Sequence, residues 1–216
     1  MPNGDAAAEQ VTDHYFTAEP ASAADVRPLR VHLAGQELVL RTARGVFSPD
    51  RVDQGTAALL HNVPPPPTGG HLLDLGCGWG PVTLTLALLS PEARVWAVDV
   101  NERALDLVRR NAETVGAANV TATVPDDVPD DVRFTALWSN PPIRVGKPAL
   151  HAMLLRWLPR LEPDGSAYLV VQRNLGADSL QTWLTLQPVL DGWSVSRHAS
   201  HKGFRVLHVQ APAESS

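Results

Sequence analysis

The stretch HLLDLGCGWGPVTLTLALLS, residues 71–90, limits this chain to few architectures. A compact apolar run stops at Leu75, and three glycines follow at alternate positions, Gly76, Gly78 and Gly80. A helix-like run then opens on Pro81, a residue suited to the first helical position because its missing N–H has no partner there anyway. Strand, glycine turn and helix in that order form the first part of a βαβ unit, and the alternation continues downstream. RVWAVDV reads as a strand. NERALDLVRRNAETVG reads as a helix with Asn101 as its N-cap, Ala104, Leu105, Val108, Ala112 and Val115 on one face, and Gly116 just past its end. NVTATV and RFTALWS are strands, KPALHAMLLRWLPRL a helix, GSAYLVVQ a strand and DSLQTWLTLQPVL a helix. WSVSRHASHKGFRVLHVQ closes the pattern as two strands with no helix between them. The implied class is α/β, a Rossmann-like, doubly wound, mostly parallel sheet covered on both faces, with an antiparallel hairpin at one edge. No internal repeat is present.

Upstream, LRVHLAGQELVLRT reads as a β-hairpin about a Gly-containing turn. SPDRVDQGTAALLHNV reads as a short helix with Val52, Ala57, Leu60 and Val63 on one side, ended by the stiff linker PPPP at 64–67. The expected organisation is therefore a frayed tail over residues 1–12, a hairpin-and-helix extension over 13–63, the main domain over 64–210 and a second tail over 211–216. A length of 216 residues suits one well-buried domain and is too short for two large ones. The apolar runs are too short to span a bilayer, so no membrane partner is expected. MPNGDAAAEQ lacks the basic flank and apolar core of a secretion signal. A single cysteine, Cys77, excludes an internal disulfide, and the expected compartment is the cytoplasm.

The glycine turn sets the ligand class. Bare backbone lets a ligand lie close, and a helix N-terminus favours negative charge. Dinucleotide sites use G-x-G-x-x-G, whose helix receives a pyrophosphate. Here the pattern is D-x-G-x-G-x-G, with Asp74 inside the strand end. An acid there repels a pyrophosphate but can orient the loop and, through backbone or water, an ammonium group. That favours S-adenosyl-L-methionine, with its zwitterionic amino-acid end and positive sulfonium. Cys77 counts with this cofactor loop as a small space-filling residue, since no base has evident access to make it a nucleophile. Asp99 ends the next strand, where its carboxylate can accept both ribose hydroxyls, with Val100 on the adenine; capping of the helix after it is the other reading. Asp126 follows the third strand and can accept from the adenine amine, although neighbouring Asp127 and a solvated acidic loop are alternatives.

The run ALWSNPPIRVGK places Asn140, Pro141, Pro142 and Ile143 at the end of the fourth strand. Two prolines give up two backbone donors and stiffen the residue before them. A planar amine has a delocalised lone pair, which must be localised before methylation. The Asn140 side-chain carbonyl and the Pro141 backbone carbonyl, held convergent, can accept the two amine hydrogens and favour a pyramidal nitrogen. No strong general base is required, because the cationic product loses its proton readily.

Taken together, LDLGCGWGP, AVDVN and SNPPI resemble class I S-adenosylmethionine-dependent methyltransferases acting on planar amino groups. HYFTAEP, GVFSPDRVDQGTAALL, NPPIRVGK and KGFRVLHV narrow the resemblance to the methyltransferase small domain family, over about residues 13 to 210. That family includes enzymes that methylate guanine N2 in small-subunit ribosomal RNA. The resemblance implies a seven-stranded sheet with an antiparallel terminal strand. It carries over Gly76, Gly78 and Gly80 as cofactor loop, Asp99 as ribose ligand and Asn140 to Ile143 as catalytic loop. It also places Gly45, Val46 and Phe47 near the methionine end of the cofactor. The sequence departs from the family in two ways. Ile143 stands where an aromatic often stacks on the base, and the bacterial ribosomal enzymes carry a duplicated N-terminal domain, whereas one catalytic-type unit is expected in this sequence.

The implied activity is N-methyl transfer to an exocyclic amine, guanine N2 of ribosomal RNA first, with glutamine amide or adenine N6 as other acceptors. A cofactor-binding assembly module without catalysis is the reading from a different class, and the intact Asn140–Pro142 loop argues against it. Net charge is −5, but from Asn140 onward eight Lys/Arg face five Asp/Glu, against ten and eighteen before it. An RNA partner can therefore approach from that half, with Arg144, Lys147, Lys202 and Arg205, and also Arg173, as phosphate contacts; solvated surface charge is the alternative. RHASHK contains two histidines with no cysteine or acid to complete a metal set, so a hairpin turn is expected and no metal. Tyr15 and Phe16 could form a lid or a buried contact, and Trp79 could wall the cofactor pocket.

Overall fold

The computed structural model describes residues 26–214; Tyr15, Phe16 and the N-terminal tail lie outside them. Alternating apolar residues make the first two strands, β1 (Arg27–Leu33) and β2 (Gln36–Thr42), an antiparallel pair joined at Ala34 and Gly35. Val31, Leu33 and Leu40 face inward, and the other side of the pair is solvated.

The main sheet follows from the strand–helix alternation. Its strands are β3 (His71–Leu75), β4 (Arg94–Val98), β5 (Val120–Thr123), β6 (Phe134–Ser139), β7 (Leu161–Gln172), β8 (Ser194–His201) and β9 (Phe204–Gln210). Their spatial order is β5-β4-β3-β6-β7-β9-β8. The first five are mutually parallel, and β9 runs antiparallel to both β7 and β8. β8 is the outer strand and carries a register irregularity between Arg197 and Ala199. Because the sheet is covered on both sides, β3 is buried along nearly its whole length: Leu73 and Leu75 join one apolar cluster, Leu72 another.

Five helices cover it: α1 (Gln54–Asn62), α2 (Pro81–Leu89), α3 (Glu102–Thr114), α4 (Lys147–Trp157) and α5 (Ala177–Thr185). α2 begins on Pro81, and α3 is capped by Asn101, whose side chain accepts from Arg103 N–H at 3.0 Å. Leu150, Leu154, Trp157, Leu180 and Leu184 of α4 and α5 fill one face, while α1 and α2 cover the other with Ala58, Leu59, Val82 and Leu86. The hairpin closes over α2 and α3, with Trp79 and Leu107 beneath it.

Three expectations about elements are corrected. The first helix does not begin at Ser48: that residue has φ +47, the chain turns through residues 44–51, and Asp53 is the cap of α1. Its fully buried residues are Gly55, Thr56, Ala58 and Leu59; of the expected face Ala57 is exposed, while Val52, Leu60 and Val63 are half-buried and pack on the core. The helices at 147 and 177 are also shorter than their apolar runs, each passing into a short 3-10 turn at a proline, Pro159 and Pro188. Past Gln210, the Ala211 N–H donates to Gly165 O at 2.9 Å and Ala211 is buried, so the chain is held beyond the last strand. Among the described residues no helix is long and apolar enough to cross a membrane.

Candidate functional site

Parallel strands bring their C-terminal ends to one edge. There Gly76, Asp99, Pro125 and Asn140 each follow a strand, Gln172 ends one, and all five line a cleft of about 800 Å³. Val46, Phe47, Ser48 and Pro49 line it from the loop after the hairpin, and Met153 and Arg156 from α4.

The glycine turn forms one wall. Gly76, Gly78 and Gly80 all have positive φ, +79, +54 and +98, which L side chains rarely adopt. The Gly76 and Cys77 N–H groups donate to Val98 O, fastening the turn to the end of β4. A Cβ on Gly76 or Gly78 would meet nothing closer than 4.0 Å, so both glycines open toward the cleft rather than into packed atoms. Gly80 instead packs on Val108, 3.2 Å from where its Cβ would stand, and lies behind the wall. Cys77 also lies behind it, buried with Ala97, Leu105 and Val108; burial pushes its thiol well above the ordinary range. Its role is space filling.

Asp74 does not reach the cleft. Its Oδ2 accepts from Thr83 N–H at 2.9 Å and Thr83 Oγ1–H at 2.6 Å, pinning the first turn of α2. Full burial raises its carboxyl to about 7 despite those two bonds, with the charge of Asp99 adding to the rise. Both bonds tie the end of β3 to α2, on either side of the glycine turn.

Asp99 does line the cleft. Its Oδ2 accepts from Gly78 N–H at 2.9 Å and its Oδ1 from Asn101 N–H at 3.0 Å. Burial raises its carboxyl, and these backbone donors oppose the rise. Val100, half exposed, stands beside it on the wall. Asp126 does not line the cleft: its side chain is 85% exposed and pairs at 2.8 Å with Arg156, which does, while Pro125 takes the place on the wall. Trp79 is likewise not a wall. It is buried under the hairpin, and its indole N–H donates to Ser48 O at 3.1 Å, holding the loop that carries Phe47.

The double-proline loop faces the turn. Ser139 Oγ–H donates to Leu75 O at 2.6 Å, tying the ends of β6 and β3 together. Pro141 is buried, and its carbonyl accepts from Ile143 N–H at 2.8 Å around Pro142 (φ −74°, ψ 77°), a tight three-residue turn. One lone pair of that carbonyl is thus committed, and a carbonyl has two. The Asn140 amide donates from Nδ2 to Asp53 Oδ2 at 2.9 Å and Thr56 Oγ1 at 3.0 Å. Asn140, Pro141, Pro142 and Ile143 all line the cleft.

The expected basic rim is not on the cleft wall. Lys147 and Lys202 are exposed and stand off it, and Arg205 is paired with Asp178. The Arg144 side chain lies outside what the structure describes. Among the described residues no cluster of three or more His, Cys, Asp or Glu is placed to hold a metal ion. Sequence reasoning missed Asp53, Gly55 and Thr56; the signal was D-x-G-T, an acid one residue before a helix, which reads as an N-cap. It also missed Gln172 and Phe204, paired across β7 and β9 at the cleft mouth.

The methyltransferase small domain family matches residues 37–208. A Bacillus subtilis (strain 168) protein named uncharacterized protein YbxB is 33% identical over 172 residues, 78% of this chain and 86% of that one. Ribosomal RNA small subunit methyltransferase C of Shewanella sediminis (strain HAW-EB3) is 32% identical over 165 residues, 73% of this chain and 47% of that protein. In structure, the chain is similar to the T. thermophilus 16S rRNA N2 G1207 methyltransferase (RsmC), solved in complex with AdoMet and guanosine. The TM-score is 0.71 at 24% identity, over 90% of this chain and 52% of the other. The chain spans about half the length of these two ribosomal RNA methyltransferases.

Proposed function

The chain belongs to the methyltransferase small domain family, and from that premise we propose that it transfers a methyl group from S-adenosyl-L-methionine to a planar exocyclic amine, guanine N2 of small-subunit ribosomal RNA. The observation that carries the reading is the Asn140 amide, whose nitrogen is engaged by Asp53 and Thr56, which leaves its carbonyl oxygen as the acceptor for the cleft.

The residues present fit the cofactor. Gly76 and Gly78 offer bare backbone, Asp99 a carboxylate acceptor, Val100 an apolar surface and Phe47 an aromatic side chain beside Gly78. When bound, S-adenosylmethionine supplies an electrophilic methyl carbon on a positively charged sulfur. The chain's own part is orientation. Asn140 Oδ1 and the remaining lone pair of the Pro141 carbonyl accept the two amine hydrogens, drawing the nitrogen lone pair out of the base plane. Pro141 and Pro142 hold those acceptors before substrate arrives, and the Ile143 N–H bond fixes the angle of the Pro141 carbonyl.

A nucleic acid base is favoured over a glutamine amide because Phe204 lines the same cleft. It puts an aromatic side chain at the cleft where Ile143 is aliphatic, and base–aromatic stacking is worth about 1–3 kcal/mol. RNA contact outside the cleft falls to exposed Lys147 and Lys202 and to Arg144, with Arg205 held back by Asp178.

The test is to incubate the purified protein and methyl-labelled cofactor with small-subunit RNA, large-subunit RNA, DNA or protein from a strain lacking the gene. Label recovered as N2-methylguanosine from the small-subunit RNA is the expected result. Label in N6-methyladenosine or methylglutamine moves the acceptor, and bound cofactor with no label anywhere overturns the activity.

A further inference from the structure

We infer that Asp53 and Thr56 are positioning residues for methyl transfer: they hold the Asn140 amide so that only its carbonyl oxygen can meet an incoming amine. The inference rests on the proposed reaction and deepens it.

A primary amide has a donor end and an acceptor end, and rotation by 180° about its last torsion exchanges them. In the wrong orientation Asn140 would point two N–H groups at an NH₂ group and repel it. The structure removes that orientation. A carboxylate only accepts, so Asp53 Oδ2 at 2.9 Å admits the amide nitrogen and rejects the amide oxygen. Thr56 Oγ1 at 3.0 Å takes the nitrogen's second hydrogen, and Thr56 is buried, so water does not compete freely for it. Flipping the amide would lose a charge-assisted bond and set a carbonyl oxygen against a carboxylate.

The local backbone is arranged around this contact. Asp53 is the N-cap of α1, and its Oδ2 also accepts Gly55 N–H at 2.7 Å and Thr56 N–H at 3.4 Å. Gly55, inside the first turn, leaves no room for a side chain. A Cβ there would lie 2.9 Å from Asp53 Oδ2, 3.1 Å from Asn140 Oδ1 and 3.2 Å from Asn140 Nδ2. Glycine weakens a helix, yet here it lets the amide lie against bare backbone. Capping alone needs neither Asn140 nor a glycine at this place. The negative charge on Asp53 also polarises the amide through its N–H, making Oδ1 a stronger acceptor.

The variant that separates positioning from capping is Asp53→Asn, because Asn caps helices about as well as Asp but is neutral and can itself donate. Single-turnover transfer to small-subunit RNA is expected to slow about tenfold or more, with KM for the RNA and calorimetric affinity for S-adenosylhomocysteine within about twofold. An unchanged rate overturns the inference. Asn140→Asp in the native background sets two carboxylates together and loses activity. The D53N/N140D pair restores one donor and one acceptor, and is expected to run at least about tenfold faster than N140D alone. No recovery overturns the inference. A third measurement does not depend on turnover. By NMR, the Asn140 Nδ2 protons should exchange with solvent about tenfold or more faster in Asp53→Asn than in the native protein. Equal exchange overturns the positioning role. A native protein that binds cofactor, protects these protons and methylates nothing overturns the proposed reaction while leaving the amide's orientation intact.

Discussion

The Gly78 backbone is held by a residue from another strand: its N–H donates to Asp99 Oδ2 at 2.9 Å, while Asn101 N–H donates to the other carboxylate oxygen at 3.0 Å. The acid after β4 therefore shapes the turn after β3, and these two features of the cleft wall are built as one unit. Replacing Asp99 with Asn leaves one backbone donor without an acceptor and turns an NH₂ toward it. Affinity for S-adenosylhomocysteine is expected to fall about 10- to 100-fold, roughly 1.4–2.8 kcal/mol. Calorimetric titration checks this, and unchanged affinity removes Asp99 from the binding site.

Asn140→Ala deletes the amide without touching the glycine turn. Methyl transfer is expected to fall by about 10²-fold or more. Cofactor affinity should stay within about threefold, roughly 0.6 kcal/mol. Paired single-turnover and titration measurements separate the two, and native-like turnover refutes the orienting role.

Gly55→Ala places a methyl group where the Asp53 and Asn140 side chains meet. Those atoms are side-chain ends that can shift, so the fold should survive, helped by the preference of helices for Ala over Gly of up to about 1 kcal/mol. The shift moves the amide, and turnover is expected to drop about tenfold while thermal unfolding moves by only a few degrees. A variant with unaltered turnover would show that the close approach has no bearing on transfer.

Asp74 predicts a pH dependence of stability. Its folded carboxyl is raised to about 7, whereas the ordinary value is 3.8. Between those values the native state holds a proton that the unfolded chain has released, so stability falls as pH rises through that window. Asp74→Asn cannot titrate and can still accept from Thr83 N–H. Relative to the native protein, the variant should gain stability between pH 4 and pH 8. Urea unfolding midpoints at both ends decide it, and a flat or opposite difference counts against the burial argument.

Where local chemistry decides an element, the sequence was legible. Pro81 starts α2, Asn101 caps α3, and Gly116 with φ +71 follows the end of α3. The glycine turn, Asp99 and the Asn140–Ile143 loop all stand on one cleft because parallel strands deliver their ends to one edge. The start of α1 was misplaced because Ser48–Pro49 carries the same signature as Asp53. The choice between them is made at a distance, where the indole of Trp79 holds Ser48 O and Asn140 engages Asp53. Long charged side chains were the least legible. Arg205 goes to Asp178 and Arg156 to Asp126, and neither choice is encoded in spacing along the chain. The contact between residues 53 and 140 joins positions 87 apart, beyond any helical or strand period.

That separation has a consequence for when the protein becomes competent. A chain whose first helix has come undocked keeps the glycine turn and Asp99 on the cleft wall but loses Asp53 and Thr56, the partners of the Asn140 amide nitrogen. On the proposed reaction, such a molecule would bind its donor yet aim nothing at it, so transfer to stray amines would wait for the closing of that 87-residue separation.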